Sequence, residues 1–137
     1  YKDVLLLDSG DILPASSKDL DYARKFYERL DYDAVTVGLS DFNLPAAKNS
    51  LIKDFATHSK VPLLLSNLYE LKTARAVEWQ GTKPYELKEI NGVKIGIMGI
   101  VPNDIVSLTP VDNRVGLYVE NMVQNTLYHA RLLRSLG

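Results

Sequence analysis

The chain has 137 residues, of which 46% are hydrophobic and 24% are charged, and its formal net charge is -1. This length is typical of one domain, and the composition is that of a folded globular protein rather than a disordered one. The balanced charge creates no overall field that would favour nucleic acid or an anionic membrane surface. No apolar run is long enough to span a membrane. Because there is no cysteine, disulfides, zinc–thiolate sites and c-type haem attachment are excluded within these residues.

The first half of the chain alternates between apolar strand segments and amphipathic helical segments. Three segments are predominantly apolar, as is typical of strands covered on both faces: residues 3–7, the stretch around Val35 and Val37, and residues 61–66. Helical spacing of apolar residues separates them, first over 20–30 and then over 51–55 after Pro45. This order predicts a mainly parallel sheet with right-handed crossovers. The pattern weakens over 69–83, where we expect a loop.

The second half predicts a hairpin followed by a helix. The segment 85–90 alternates strictly, Asn91-Gly92 is a strong hairpin signal, and 93–101 returns as the partner strand. Gly96 and Gly99 within that strand indicate close approach of a packed helix or backbone. Asp112 is the expected cap of the final helix. The predicted buried side of that helix consists of Val119, Met122, Val123, Leu127, Ala130 and Leu133.

These elements predict one α/β domain over residues 1–137, with a layered, mixed and mostly parallel sheet flanked by helices. The chain stops after a helix, where an α/β fold would normally add another strand. We therefore expect a fragment of a larger protein with an open sheet edge, through which a homodimer would form.

Polar residues follow the first two strands, as Ser9-Gly10-Asp11 and as Gly38-Leu39-Ser40-Asp41. Ligands bind at this carboxyl edge of open α/β sheets, so the pattern predicts one site built from two loops. Capping of turns and helix starts by Asp11 and by Ser40-Asp41 is the alternative interpretation. Asn67 follows the third strand and either lines the site or forms a turn. His58 and His129 are expected on the surface, and no histidine is placed by sequence to activate Ser40.

At these motifs the chain resembles the calcineurin-like metallophosphoesterases, in particular the N-terminal domain of the 5′-nucleotidase family. Val4-Leu-Leu-Leu-Asp-Ser-Gly-Asp11 matches the family's strand and Gly-Asp signature, and 32–42 lies where the family carries Gly-Asn-His-Glu/Asp-Phe. The segments 61–67 and 85–101 match the strand and the hairpin that follow. The resemblance implies a partial α/β/β/α fold.

The family binds two divalent metal ions of the Mn, Zn or Mg class, which activate water for the hydrolysis of phosphate esters. By position, Asp11 corresponds to the aspartate that bridges the metals, Leu39 to a ligand asparagine and Ser40 to a histidine. Leucine cannot coordinate a metal, and the family's other ligand motifs would precede residue 1 or follow residue 137. We therefore predict no catalytic residue and no cofactor in this chain, with Asp11 as the remaining metal position and Leu39, Ser40 and Asp41 as a vestigial turn.

The leading hypothesis is a degenerate metallophosphoesterase domain without phosphatase activity. It would have a structural or partner-binding role beside the other domains of a larger exported protein. The resemblance implies a periplasmic or cell-surface location. Two alternatives are an active two-metal phosphoesterase whose remaining ligands lie outside the chain, and a module of a multihaem cytochrome c family protein.

Overall fold

The structure is a computed structural model, and it describes residues 3–44 and 50–137. The strands are β1 (Leu7–Asp8), β2 (Ala34–Val35), β3 (Leu63–Leu64), β4 (Leu68–Glu70), β5 (Arg75–Ala76), β6 (Thr82–Lys83), β7 (Tyr85–Ile90), β8 (Val93–Met98) and β9 (Leu117–Val119). The α-helices are α1 (Leu20–Arg29), α2 (Leu39–Phe42), α3 (Ser50–His58), α4 (Ile105–Leu108) and α5 (Met122–Ser135). Within the described ranges, no helix has the length and apolarity to cross a membrane.

The central sheet is parallel and has the strand order β1-β2-β3-β6. Side chains alternate between its two faces, as the strand period requires. Val35 and Leu63 point into the main core, where they meet α1 and α3 through residues such as Tyr27 and Phe55. Phe55 is fully buried, and burial of such a side chain stabilises the fold by about 1.5–3 kcal/mol.

The β7–β8 hairpin covers the opposite face of the central sheet. Ile97 packs there with Ala34 and Leu64 in a second, smaller core. Helix α5 lies on the outer face of the hairpin, because a Cβ atom added at Gly96 would lie only 2.9 Å from Cδ1 of Leu133. The described chain thus has four layers, in the order helices, parallel sheet, hairpin and helix. This confirms the predicted mixed α/β architecture and the close approach at Gly96.

The predicted loop over 69–83 is wrong in part. Strand β4 pairs in antiparallel fashion with β5 and with β9, and β6 joins the central sheet at its edge. These strands are two or three residues long, so each is too short to show a hydrophobic period. The second predicted helix begins at Ser50 in the described residues, and Pro45 lies outside them.

The predicted cap of the final helix is also wrong. Asp112 lies in a 3₁₀ turn over Val111–Arg114, and β9 intervenes before α5. Asn121 is the cap of α5, since its side-chain oxygen accepts hydrogen bonds from the backbone N–H groups of Val123 (3.0 Å) and Gln124 (3.1 Å).

The buried side of α5 differs from the prediction. Asn125, His129 and Leu133 face inward, whereas Val123 is 62% exposed and Leu127 is 52% exposed. The inward polar groups satisfy one another: Asn125 Nδ2 donates to Glu120 Oε2 at 2.8 Å, and His129 Nδ1 lies 2.9 Å from Asn125 Oδ1. Because these hydrogen bonds offset the cost of burial, the expectation of a surface His129 is wrong.

Candidate functional site

Two loops meet at the carboxyl edge of the parallel sheet. They follow β1 and β2, which are neighbouring parallel strands. Gly10 has a φ of 129°, and a Cβ atom added there would lie 2.6 Å from the backbone nitrogen of Gly38. Only glycine permits this approach of two backbones. The structure therefore brings together the two polar turns that the sequence singled out.

The Asp41 carboxylate lies at the centre of this contact and is 4% exposed. Its Oδ2 accepts hydrogen bonds from the backbone N–H groups of Gly38 (2.8 Å) and Asp11 (2.9 Å), and its Oδ1 accepts one from Leu13 (2.8 Å). Burial raises the pKa of the Asp41 carboxyl above its usual value, and the surrounding N–H donors partly oppose this rise. Asp41 thus joins both loops through their backbones.

The Asp11 side chain makes the reciprocal connection. Its Oδ1 accepts a hydrogen bond from the backbone N–H of Ser40 at 2.9 Å. Asp11 itself adopts a left-handed conformation with φ 60°, which aspartate tolerates better than most residues. The two aspartates therefore serve as acceptors for backbone groups of the opposite loop. Asp11 caps this second loop rather than its own turn.

The intervening residues of the second loop have different surroundings. Leu39 begins α2 and packs against the edge of the main core, and Ser40 is exposed. In the described ranges no hydrogen bond joins the Ser40 hydroxyl to a histidine. His58 ends α3, where its Nδ1 lies 3.0 Å from a carboxylate oxygen of Asp54, and His129 is on the buried face of α5. Among the residues that the structure describes, neither histidine is therefore bonded to Ser40 as a general base.

Asn67 is completely buried, and its amide joins three segments of the chain. Its Nδ2 donates to the carbonyl oxygens of Val101 (2.8 Å) and Glu120 (3.1 Å), and its Oδ1 accepts from the N–H of Val101 (2.7 Å). None of its hydrogen bonds within residues 3–44 and 50–137 reaches the two loops. Its role in lining the site stays a prediction.

A further polar pair supports the first loop and was not predicted from the sequence. The Tyr27 hydroxyl donates to Asp8 Oδ2 at 3.0 Å, and Asp8 Oδ1 accepts from the N–H of Gly10 at 3.1 Å. Burial and the hydrogen bond to Asp8 raise the pKa of Tyr27. The sequence contained one indication of this pair: Tyr27 lies on the predicted buried face of a helix, and a buried hydroxyl needs a hydrogen-bond partner.

The donor atoms of this site do not fit a two-metal centre. Across the described part of the chain, no three or more His, Asp or Glu side chains converge in a way that could hold a metal ion. Asp11 Oδ1 and both Asp41 oxygens already accept backbone hydrogen bonds, and the intervening Leu39 has no donor atom. A hard divalent ion takes about six oxygen ligands. The arrangement stabilises two loops and has no metal cage.

Comparison with known proteins gives a consistent result. The chain is 30% identical over 109 residues to a 5′-nucleotidase of Vibrio parahaemolyticus, and 31% identical over 111 residues to the protein UshA of Yersinia enterocolitica. Each alignment covers 77% of this chain and 18% of the relative. No family model matches the chain.

Solved structures show the same fold. A 5′-nucleotidase precursor from Thermus thermophilus superposes with a TM-score of 0.78 over 99% of this chain and 26% of its own, at 21% identity. The NAD nucleotidase of Haemophilus influenzae superposes with a TM-score of 0.76 over 100% of this chain and 24% of its own, at 22% identity.

The layered sheet with two loops at its carboxyl edge is therefore the fold of the 5′-nucleotidase structures. With the sequence relatives added, the comparisons support a similarity of this chain to the N-terminal domain of 5′-nucleotidases, which belong to the calcineurin-like metallophosphoesterase superfamily. It spans about a fifth of the length of the curated relatives that it matches.

Proposed function

We propose that this chain is a 5′-nucleotidase-like domain without phosphoesterase activity of its own. It would form a single α/β domain of a larger exported protein, at the periplasm or cell surface, with a structural or partner-binding role. The observation that supports this is the hydrogen bonding of Asp11 and Asp41. Their carboxylates hold the two loops together, and Leu39 and Ser40 stand where the resemblance expects an asparagine and a histidine.

The chemistry of a two-metal site makes this replacement severe. Two metals act together by holding the attacking and leaving oxygens of one displacement, so the centre needs nearly all of its ligands at once. Leucine supplies no donor atom, and a serine hydroxyl cannot take the place of an imidazole at the transferring phosphate. Asp11 alone would hold a divalent ion weakly.

Hydrolysis assays with nucleoside monophosphates and p-nitrophenyl phosphate, in the presence of manganese, test the proposal. We expect no turnover above the buffer rate, and the same result for Asp11→Asn. Turnover by the natural chain that Asp11→Asn abolishes would overturn the proposal. The Asp11→Asn protein also needs a folding control by circular dichroism, because Asp11 caps the second loop.

A second candidate function is an active two-metal phosphoesterase whose other ligands come from flanking polypeptide. It is favoured by the alignments, which cover only 18% of each curated relative. Titration of a longer polypeptide with manganese distinguishes the two candidates. Two ions bound per chain with measurable phosphatase activity would support the second, and no stoichiometric binding would support the first. The multihaem cytochrome alternative gains no support from the nucleotidase relatives.

A further inference from the structure

The turn of the β7–β8 hairpin presents the dipeptide Asn91-Gly92 at the surface, where both residues are exposed. Asn91 and Gly92 have φ values of 51° and 78° and are flanked by the paired residues Ile90 and Val93, which defines a two-residue type I′ turn. A Cβ atom added at Gly92 would meet no atom of the described chain within 4 Å, apart from its chain neighbours. The turn therefore projects into solvent.

An asparagine followed by glycine can lose its side-chain amide in a reaction that consumes only water, and asparagine is among the labile residues of proteins. The backbone nitrogen of Gly92 would lose its proton and attack Cγ of Asn91. The Cγ–Nδ2 bond would break, and ammonia would leave with that proton. Water then adds to one of the two carbonyl carbons of the cyclic imide and returns a proton to the ring nitrogen. Opening at one carbon gives aspartate, and opening at the other gives isoaspartate.

The type I′ turn keeps the two reacting atoms apart. Because it is the mirror image of a type I turn, its first central residue has a ψ of about +30°. Cβ of Asn91 and the nitrogen of Gly92 then lie on nearly opposite sides of the bond between Cα and the carbonyl carbon of Asn91. Closure of the imide ring needs them on the same side, so it requires a large rotation of ψ at Asn91. That rotation breaks the turn.

The end of the hairpin next to this turn is weakly attached to the rest of the domain. Residues 91–94 are all exposed. An ion pair between Lys88 Nζ and Asp33 Oδ1, at 3.1 Å, connects β7 to the residue that precedes β2, and further along Ile97 packs in the smaller core. Segments with few buried contacts open at low free energy while the remainder stays folded. Opening of residues 88–95, which breaks this ion pair, is therefore enough to free the turn.

We propose that Asn91 is a deamidation site whose reaction the hairpin controls. The turn protects Asn91 while β7 and β8 are paired, and the reaction proceeds from the state in which residues 88–95 have opened. An aspartate product tolerates the left-handed conformation, so the turn closes again. An isoaspartate product adds one carbon to the main chain, and the pair of Ile90 and Val93 no longer forms across a two-residue turn. The modification thus makes one opening of the hairpin permanent.

The test compares deamidation of the folded chain with that of the same chain in urea, at one pH and one temperature. Mass spectrometry of the proteolytic fragment that contains residue 91 measures the loss of the amide, and protein isoaspartyl methyltransferase labels the isoaspartate product. The reaction should be at least about tenfold slower in the folded chain, because only the opened fraction reacts. Equal rates in the two conditions, or no reaction in urea while the peptide acetyl-Glu-Ile-Asn-Gly-Val-Lys-amide reacts, would overturn the proposal.

A pair of lysine variants locates the opening. Lys88→Met removes the ion pair that connects the hairpin to Asp33, whereas Lys83→Met removes an ion pair with Glu86, three residues further along the same segment. Lys88→Met should accelerate deamidation of the folded chain by up to about fivefold, the range for a partly exposed ion pair. Lys83→Met should leave the rate unchanged. Equal effects of the two variants would overturn the assignment of the opening segment.

The two products test the consequence of the reaction separately from the reaction itself. Chromatography isolates the aspartate and isoaspartate forms, and Asn91→Asp supplies the first form directly. Hydrogen exchange of the β7 and β8 amides should stay slow in Asn91→Asp and should become at least about tenfold faster in the isoaspartate form. Equal protection of these amides in the two forms would overturn the proposed loss of the hairpin.

Discussion

Replacement of Asp41 is the sharpest test of how the two loops are held together. Asp41 is nearly fully buried and accepts three backbone hydrogen bonds, from Gly38, Asp11 and Leu13. Asp41→Ala leaves these three donors without an acceptor, and each such hydrogen bond contributes about 1 kcal/mol net. We therefore expect Asp41→Ala to lower the free energy of unfolding by about 3 kcal/mol.

Asp41→Asn should give an intermediate result. Its one remaining oxygen can keep the two bonds that Oδ2 makes, while its NH₂ group faces the N–H of Leu13. The expected loss is about 1–2 kcal/mol, for one buried donor without a partner. Asp104 is the matched control, because it is exposed and its carboxylate makes no capping hydrogen bond. Urea unfolding followed by circular dichroism measures Asp41→Ala, Asp41→Asn, Asp104→Ala and Asp104→Asn. Equal stabilities for the Asp41 and Asp104 variants would refute the bonding scheme.

Three other substitutions test neighbouring features. Gly10→Ala should lower the stability measured by thermal unfolding more than Gly92→Ala does, by at least about 1 kcal/mol. Both glycines have positive φ, but of the two only Gly10 lies against another backbone segment. Tyr27→Phe should cost about 1 kcal/mol at neutral pH. The pKa of Tyr27 is raised above 10.0, so the stability that its hydroxyl contributes is present below pH 10.0 and is lost as the pH rises further. Urea unfolding on both sides of pH 10.0 should therefore show that the difference in unfolding free energy between the natural chain and Tyr27→Phe shrinks at the higher pH. Asn67→Ala should lower the free energy of unfolding by about 3 kcal/mol, because three buried hydrogen bonds are lost. A loss below about 1 kcal/mol in chemical denaturation would contradict the role of Asn67 in joining the three segments.

The parallel sheet and the hairpin could be predicted because they depend on local sequence patterns. Val35 and Val37 lie in a short run of residues that suits a strand covered on both faces, and the parallel sheet follows from the helices between such runs. Asn91-Gly92 located the hairpin because few residues other than Asn and Gly adopt two successive positive φ values. Each of these signals is local.

The inward face of α5 could not be predicted from apolar spacing. That spacing placed Val123 and Leu127 inside, but the structure buries Asn125 and His129 instead. Their burial depends on partners far along the chain, such as Tyr69, whose hydroxyl lies 3.4 Å from Asn125 Nδ2. A periodic pattern describes one helix and contains no information about which polar groups another strand will supply.

The candidate site was predictable in position but not in bonding. Strand ends and the resemblance located Asp11 and Asp41 at the same sheet edge. The exchange of hydrogen bonds between the loops depends on the approach of Gly10 to Gly38 and on the left-handed conformation of Asp11. Neither follows from residue types alone, since both require the tertiary contact that they help to form.

The hydrogen bond from Ser40 to Asp11 has a consequence for the interpretation of distant relatives. An aspartate that both ligates a metal and holds a loop is under two kinds of selection. When the first ends, the second still preserves the residue, and the alignment column stays invariant while the reaction is lost. An exposed side chain without such a structural role, such as that of Ser40, is not under this second constraint, so its identity reports the loss of an activity more faithfully than the aspartate does.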